Sequence, residues 1–487
     1  MISQIPGEIR LVMETLVQEG YLAFLVGGAV RDLLGNRPIS DYDISTDAWP
    51  EEVIRVAGQA GWRVIDQLGQ NFGVVLVVVA GRPIEVATFR GELYGEDSHR
   101  PTEVWYSHEV VSDLARRDFT INAMAMDHSG EVIDPFGGRQ DLAAGLIRAV
   151  GDAHVRFRED ALRMFRACRF AAQLGFQIDE AILQAIPGQL DRVAGLSLER
   201  VRDELEKTLL AEYCDQGLDA MLRTGLLNAR CRTRARGEYR QLSILPELQH
   251  LADLPQERKY HRMDAWRHTL TAVQAAKPDR IIRWAVLLHD VGKGLPGVRG
   301  QDEAGSVFDH GHEEVGAQLA KDIVHRLQLP PDLQERVVWL VSRHMRFYFC
   351  LYRNPLAAKH WLRQEIQSKS FRNCRSLLEA FRQLTEVCTA DCLASGSAEQ
   401  AEQNAAKIGE FGAYLQTLIH SMPVHTTDIA YDPTELLAIL GSPQMMGPFL
   451  KIMLHRIQDG ELANERSEIY AAAKKWIARR QLEKELE

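Results

Sequence analysis

The chain has 487 residues, 46% of them hydrophobic and 25% charged, with a formal net charge of −10. That length exceeds a single hydrophobic core and predicts about three domains of a globular protein. The acidic balance weighs against a general nucleic-acid binder, although a local basic face remains compatible with it.

The seven cysteines form no CxxC pair, so reduced thiols of a cytoplasmic protein are expected. The first residues lack a basic run, so no signal peptide is expected. The longest apolar run, Val74 to Ala80, has strand length, and no membrane partner is expected.

Residues 1–20 predict an amphipathic helix, with Ile9, Val12, Met13, Leu16 and Val17 on the helical period. Leu25-Val-Gly-Gly-Ala-Val-Arg-Asp-Leu-Leu-Gly reads as a short strand, a tight turn at Gly27-Gly28 and a helix start. The glycines let backbone N–H groups approach closely, and a helix N-terminus favours phosphate. Asp41-Tyr-Asp43 follows on a second strand, where alternation would place both carboxylates on one face, about 7 Å apart. Two such carboxylates suit a pair of Mg²⁺ ions that activate a hydroxyl and neutralise a leaving pyrophosphate. Nucleotidyl transfer is therefore the first hypothesis. An Asp-x-Asp by itself is more often a solvated strand end, and the preceding glycine turn is what strengthens it.

Pro50 to Ala60 predicts a helix with Asp47 as its cap. Phe72 to Val79 and Pro83 to Arg90 are β-rich runs broken by Ala-Gly-Arg, a hairpin signal, so residues 21 to 90 suggest a small mixed sheet. Glu85 stands in an otherwise apolar strand, as a third metal-site carboxylate or as a polar residue on an exposed face. Residues 91–105 lack periodicity and read as a functional or mobile loop. Arg116, Arg117 and Asp118 precede an apolar segment; Arg117 suits a triphosphate, against the plainer reading of a solvated helix end. Asp134-Pro-Phe-Gly-Gly is a turn that closes the first domain.

From about residue 152 the pattern becomes helical. Glu159 to Leu174 predicts one helix stopped by Gly175. Asp160, Arg163, Arg166 and Arg169 recur every three residues along it, which an ordinary surface ion-pair ladder would explain. The chemistry suggests more. Cytosine and adenine each present an exocyclic amine beside a ring-nitrogen acceptor, so a carboxylate and a guanidinium match both. Uracil and guanine reverse that order, and each unmatched buried group costs about 1–3 kcal/mol. Asp160 with Arg163 can thus select C and A without a nucleic-acid template.

Leu198 to Leu210 is a further amphipathic helix whose Glu199, Arg200 and Glu204 would brace the preceding one by ion pairs. Arg230, Arg232, Arg234 and Arg236, with Tyr239, form the best phosphate-contact patch, closely rivalled by an ordinary basic loop. A third unit carries His268, His289-Asp290 at the end of an apolar helix, His312, His344 and, less securely by position, Asp391. Imidazoles with carboxylates suit a divalent metal (Ni²⁺, Mn²⁺, Co²⁺ or Mg²⁺) that activates water for phosphate-ester hydrolysis. Beyond residue 400 the chain is helical, with Ile469, Tyr470, Ala473 and Trp476 on one side of the last helix.

Taken together, Leu25-Val-Gly-Gly-Ala-Val-Arg-Asp with Asp41-Tyr-Asp43, Arg116-Arg-Asp-Phe-Thr-Ile-Asn-Ala-Met-Ala, Asp134-Pro-Phe-Gly-Gly, Arg156-Phe-Arg-Glu-Asp-Ala-Leu-Arg and Glu199-Arg-Val-Arg-Asp-Glu resemble the ordered motifs of bacterial class II tRNA nucleotidyltransferases, the CCA-adding enzymes and their poly(A) polymerase relatives. The resemblance covers about residues 20 to 240, and residues 259 to about 395 resemble an HD-type metal phosphohydrolase. It implies an α+β chain: a polymerase-β-like head (1–150), a helical neck and body (151–255), an HD-like domain (256–400) and a helical tail (401–487). It implies Mg²⁺ at Asp41 and Asp43, and Glu85, from the reading of its own strand, is the candidate third catalytic carboxylate. Nucleotide contacts would come from Gly27, Gly28, Arg31, Asp32, Arg117, Asp118, Arg166 and Arg169, and base reading from Asp160 and Arg163. The loop at 91–105 matches the family's element for switching from C to A addition. The implied substrates are CTP, ATP and tRNA. Addition of A alone, poly(A) synthesis, an RNA-end phosphatase and a non-enzymatic RNA binder are the competing readings.

Overall fold

The computed structural model describes residues 4–39, 41–65, 73–94, 101–235, 237–257, 262–303, 305–355, 357–368, 370–371 and 373–485. The chain divides into two compact units, Met1–Gln249 and His250–Glu487.

The first unit opens with α1 (Gly7–Gln18), β1 (Ala23–Val26), α2 (Gly28–Leu34), β2 (Asp43–Thr46), α3 (Pro50–Gln59), β3 (Arg63–Val64), β4 (Val74–Val79) and β5 (Arg82–Thr88). A hairpin follows, β6 (Arg90–Tyr94) and β7 (Pro101–Tyr106), then α4 (Val110–Ala115), β8 (Ala125–Met126), β9 (Val132–Ile133) and α5 (Gly138–Ala144). The main sheet has the order β3-β4-β5-β2-β1-β8-β9. Within it β2 and β5 run parallel and the other neighbours antiparallel, a small mixed sheet. On β4, Val75, Val77 and Val79 are buried while their neighbours are partly open, the two-residue alternation of a sheet with one face covered. The cover comes from α1 through Ile9, Val12, Met13 and Leu16, and from α3 through Val53, Val56 and Ala57.

Three local expectations are corrected here. Asp47 does not cap α3: its Oδ1 accepts from the Leu22 amide at 2.6 Å, and Glu52 accepts instead from the Trp49 amide at 2.7 Å. The stretch at 91–105 is no loop throughout, because Arg90↔Tyr106 and Gly91↔Trp105 begin an antiparallel ladder; residues 95–100 lie outside the described residues. Asp41 and Asp43 do not share a strand. Pairing of β2 begins at Asp43, opposite Val26, so Asp41 precedes the strand.

The unit continues with β10 (Leu146–Ile147), α6 (Ala153–Glu159), α7 (Leu162–Leu174), β11 (Gln177–Ile178), α8 (Glu180–Ala185), α9 (Leu198–Leu209), α10 (Cys214–Arg223), β12 (Arg230–Ala235) and β13 (Glu238–Ser243). The single helix expected from Glu159 is broken. Asp160 is extended (φ −144°, ψ 108°) and its carboxylate accepts from the Leu162 amide at 3.0 Å. A short polar side chain that bonds its own backbone competes with the helix and serves as a cap. Gly175 ends α7 in the left-handed conformation, as expected.

The second unit comprises α11 (Ala265–Ala275), α12 (Arg280–Leu288), β14 (Arg299–Gln301), β15 (Val307–Asp309), α13 (His312–Arg326), α14 (Pro331–Tyr352), α15 (Ala357–Gln367), α16 (Cys374–Leu393), α17 (Ala398–Ser421), α18 (Pro433–Leu440), α19 (Pro443–Gln458) and α20 (Arg466–Glu485). α17 packs along α16, where Phe411 meets the Phe347 ring of α14 edge-on at 5.2 Å. A separate core joins α18, α19 and α20 through Leu436, Phe449, Met453 and Ile469. Trp476 packs tilted against Phe449, with ring centroids 5.5 Å apart, which uses the apolar side of the last helix inside the unit. Among the described residues, no single helix is long and apolar enough to cross a membrane, and all seven cysteines are free thiols.

Candidate functional site

The first site lies where β1, β2 and β5 run side by side. The parallel register sets Asp43 beside Glu85 across neighbouring strands, and Asp41 stands just ahead of them. Burial, opposed by the Arg117 guanidinium, together with the Asp41 charge raises the Asp43 carboxyl above its usual range. Partial burial, then the charges of Asp43 and Asp41, raise Glu85 likewise. Two carboxylates of raised proton affinity beside the charge of Asp41 form a group short of positive charge, the condition a divalent cation meets. Charge and oxygen donors suit such an ion, and among the described residues the three carboxylates do not converge as the ligands of the second unit do.

Gly27 has φ +69°, and a Cβ there would lie 2.6 Å from Arg117 Nη1. The glycine therefore supplies both a left-handed backbone and the space for a guanidinium directly over the turn. Arg117 is aimed by Asp113 and by the Asn122 carbonyl, each at 3.3 Å. Behind Gly28, Arg31 pairs with Asp32 at 2.8 Å and donates to Asn122 Oδ1 at 2.8 Å. The Asn122 amide donates to Asp118 at 3.1 Å, and Arg166 closes the chain on Asp118 at 2.6 Å. Burial alone would raise Asp118, but Arg166 and the Asn122 bond hold its carboxyl down at about 2. Phe170 sits among Arg31, Arg166 and Arg169, with guanidinium carbons 5.3, 5.3 and 4.3 Å from its centroid. Arg169 pairs with Glu204 of α9 at 2.8 Å, so α9 does brace α7 by ion pairs.

Sequence reasoning missed Asn122 and Asp113, which link these groups. Asn122 is, with Thr120, one of two polar residues in an otherwise apolar run from Phe119 to Met126, and that was its available signal. Asp113 carries none.

Asp160 and Arg163 are not partners along one helix face. Arg163 is buried; its guanidinium donates to Glu159 at 2.6 Å and to the Arg116 carbonyl at 2.6 Å. Asp160 accepts from Arg200 at 3.1 Å. Both groups lie at the α6–α7 break, and each already has a protein partner. The basic patch is a strand and not a loop: Arg230, Arg232 and Arg234 alternate with buried Cys231 and Thr233, so the three arginines share one face of β12. Arg232 lies 5.2 Å from the centroid of exposed Tyr239. Arg236 lies outside the described residues.

The second unit brings all six of its expected ligands together. His268 comes from α11, His289 and Asp290 from the end of α12, His312 from the start of α13, His344 from α14 and Asp391 from α16. His268 Nε2 lies 2.9 Å from Asp391 Oδ1, His312 Nε2 3.3 Å from Asp290 Oδ1, and the His312 and His344 Nε2 atoms 3.1 Å apart. Asp290 is shared by two groups that could each hold a metal ion, His268–His289–Asp290 and Asp290–His312–His344. The Nδ1 atoms of His289, His312 and His344 face backbone carbonyls at 2.7–2.8 Å, which fixes the tautomer that turns each Nε2 lone pair inward. His289 Nε2 is buried 3.2 Å from Asp290 Oδ2 without hydrogen-bond geometry, an orphaned atom that suits metal ligation. Burial disfavours charge on His289, yet Asp290 and Asp391 outweigh it and push its pKa up to about 10. Burial and the neighbouring His312 and His289 push His344 down to about 3. Lys293 holds Asp290 at 2.7 Å, and a Cβ at Gly292 would fall on the His312 carbonyl, so the turn after Asp290 admits only glycine.

A nucleotidyltransferase-type head followed by a histidine–aspartate helical domain is the class this architecture defines. Residues 23–148 match the "Poly A polymerase head domain", 175–229 the "Probable RNA and SrmB-binding site of polymerase A" and 265–361 the "HD domain". A CCA-adding enzyme of Lactobacillus delbrueckii subsp. bulgaricus is 37% identical over 332 residues, 65% of this chain and 79% of that protein. The chain belongs to the CCA-adding enzyme family. A Geobacillus relative is 47% identical over 215 residues, covering 44% of this chain, and the match spans about half (52%) of that relative's length. The crystal structure of the Bacillus stearothermophilus CCA-adding enzyme in complex with CTP superposes over 98% of both chains, with a TM-score of 0.64 and 27% identity. The expected α+β organisation, a head with a small mixed sheet followed by helical domains, is the observed one.

Proposed function

We propose that this chain adds nucleotides to the 3′ end of tRNA, C and then A, from CTP and ATP, with no nucleic-acid template. The observation that carries the reading is the cluster of Asp41, Asp43 and Glu85, with raised proton affinity at two of its members, beside a glycine turn overlaid by Arg117. Nucleotidyltransferases of this family use a divalent metal; Mg²⁺ held by Asp41 and Asp43, when bound, lowers the pKa of the attacking hydroxyl and shields the leaving pyrophosphate. Glu85 adds negative charge beside Asp43. The open backbone at Gly27-Gly28 and Arg117 suit the triphosphate, and Arg31, Asp32 and Asp118 keep the surrounding arginines in place. Asp160 and Arg163 suit the C and A edges. A base that binds there must exchange with Arg200 and Glu159, because both reading groups start out paired. Arg230, Arg232, Arg234 and Arg236 suit the tRNA backbone. The head, neck, HD-like and tail ranges 1–150, 151–255, 256–400 and 401–487 are part of this reading.

The test supplies a tRNA transcript ending at the discriminator base, Mg²⁺ and one nucleoside triphosphate at a time. Incorporation of C first, and of A only after two C, is expected. No incorporation of either removes the proposal. Addition of A alone to a transcript ending in CC identifies an A-adding enzyme, and long A tails a poly(A) polymerase.

A second reading rests on the orphaned His289 Nε2 within six converging ligands. A divalent metal there (Ni²⁺, Mn²⁺, Co²⁺ or Mg²⁺) would activate water against a phosphate ester at an RNA end. Hydrolysis of p-nitrophenyl phosphate or a 2′,3′-cyclic nucleotide, lost in His289→Ala while transfer persists, is expected. Inactivity with all four metals removes it.

A further inference from the structure

At the end of α2 remote from the Gly27-Gly28 turn, a groove of about 380 Å³ opens between α2, α5 and the chain after α7. α2 has seven residues, so about 10 Å of helix separates this groove from the turn. Its floor is apolar, from Leu34, Leu142, Ala143 and Phe176, and its charged lining consists of Arg37 and Arg139, with no carboxylate among the lining residues. Arg37 is held over Phe176: its guanidinium carbon lies 5.3 Å from the ring centroid and Nη2 donates to the Leu174 carbonyl at 2.9 Å. A guanidinium stacked on one aromatic ring can take a second planar ring on its other face. Arg139 is exposed, and the nearby Asp134 is occupied by the amides of Gly138 and Arg139 rather than by either guanidinium.

Two cations of one sign over an apolar floor, one of them immobilised as a stacking plane, match a phosphate joined to a planar base. A bare phosphate would leave the apolar floor unused. We propose that this groove is a second nucleotide-unit site, distinct from the carboxylate site, in which Arg139 takes the phosphate and Arg37 stacks on the base. The unit has two chemical sources: a residue of the bound RNA strand, or a free nucleoside triphosphate. The first source rests on the tRNA reading above; the second does not.

The test uses the full-length protein with Arg139→Glu and Arg139→Lys, both at an exposed position away from the carboxylate cluster. Binding of a tRNA transcript lacking its CCA end is measured by filter retention across a salt series in Ca²⁺, and ATP stoichiometry by equilibrium dialysis without RNA. If an RNA residue fills the groove, Arg139→Glu weakens tRNA binding, lowers the slope of log K against log salt by about 1, and Arg139→Lys restores both. If a free nucleotide fills it, tRNA binding is unchanged and the ATP bound per chain falls from two to one in Arg139→Glu. Unchanged slope together with unchanged stoichiometry overturns the proposal. Failure of the wild-type chain to incorporate C or A would remove the transferase reading while leaving both of these readouts in force.

Discussion

The carboxylate cluster of the first unit and the histidine–aspartate cluster of the second are opposite answers to the same electrostatic problem. At Asp41, Asp43 and Glu85, negative charge is gathered on the two central strands β2 and β5 with too little positive charge to balance it, and the proton affinities of Asp43 and Glu85 rise. At His289 and Asp290 the counter-charge is built in, Asp290 is driven well below the carboxylate range, and five of the six ligands are at most 5% exposed. In the proposed reading, the first cluster is left uncommitted for a substrate and a cation. The second is preorganised, its imidazoles already fixed by backbone carbonyls. An exposed site can take a macromolecular 3′ end; a buried one admits only a small group or an ion.

The largest expected effect tests the uncommitted side. Asp43→Asn removes a proposed metal ligand and should lower single-nucleotide incorporation by about a thousandfold, several kcal/mol of transition-state stabilisation. The same change should leave the melting temperature equal or higher at pH 7, because the fold disfavours the ionised carboxylate that is removed. A variant that keeps its rate, or one that melts well below the parent, breaks the contrast.

The preorganised cluster should behave the other way. His289→Ala removes one of six converging ligands and should abolish bound Ni²⁺, Mn²⁺ or Co²⁺ in metal analysis of purified protein, with nucleotide incorporation unchanged. Metal bound at about a hundred times its Kd stabilises the folded unit by about 3 kcal/mol, so chelation should lower the melting transition of the parent and not of the variant. Equal transitions with and without chelator would count against a preformed metal centre.

Asp118 combines both situations, a carboxylate of the first site with its cations built in. Its carboxyl lies at about 2 in the fold against 3.8 ordinarily, a difference worth about 2 kcal/mol. A depressed carboxyl stabilises fully above its unfolded value and loses that contribution as pH falls through the folded one. Asp118→Asn should therefore melt lower than the parent at pH 7, and the gap should close between about pH 4 and 2. A gap that persists at pH 2 would mean that packing, and not the charge facing Arg166, holds Asn122 and Arg166 in line.

What could be read from the sequence follows a physical division. Periodicity exposed α1, the β4–β5 hairpin and the stop at Gly175, because each depends on local pattern and a covered face. His289-Asp290 could be read because two polar groups ending an apolar helix need partners, although their four companions are brought in by four other helices. The break at Asp160 was hidden, since strong helix formers surround a residue whose side chain competes for its own backbone. The separation of Asp41 from Asp43 was hidden for a different reason. Strand length is set by where a neighbour stops pairing, and β1 stops at Val26. Asp113 and Asn122 were hidden because their task is to aim Arg117 and Arg31, a role that exists only after the chain has folded.

The smallest effect bears on how the base is read. Asp160 is held by Arg200, whose side chain is 43% exposed, so the pair contributes at most about 1 kcal/mol to stability. If Asp160 must release Arg200 before it accepts the amine of cytosine or adenine, that small cost is charged to every binding event. Arg200→Ala should then leave the melting temperature nearly unchanged and lower the KM for CTP and ATP about two- to fivefold, with UTP and GTP still refused. The preference should survive because it resides in the donor–acceptor order of Asp160 and Arg163, which Arg200 does not supply. A raised KM for CTP would reverse the assignment: Arg200 would then be the group that orients Asp160 toward the base, and the first site would be more preorganised than its raised carboxyls suggest.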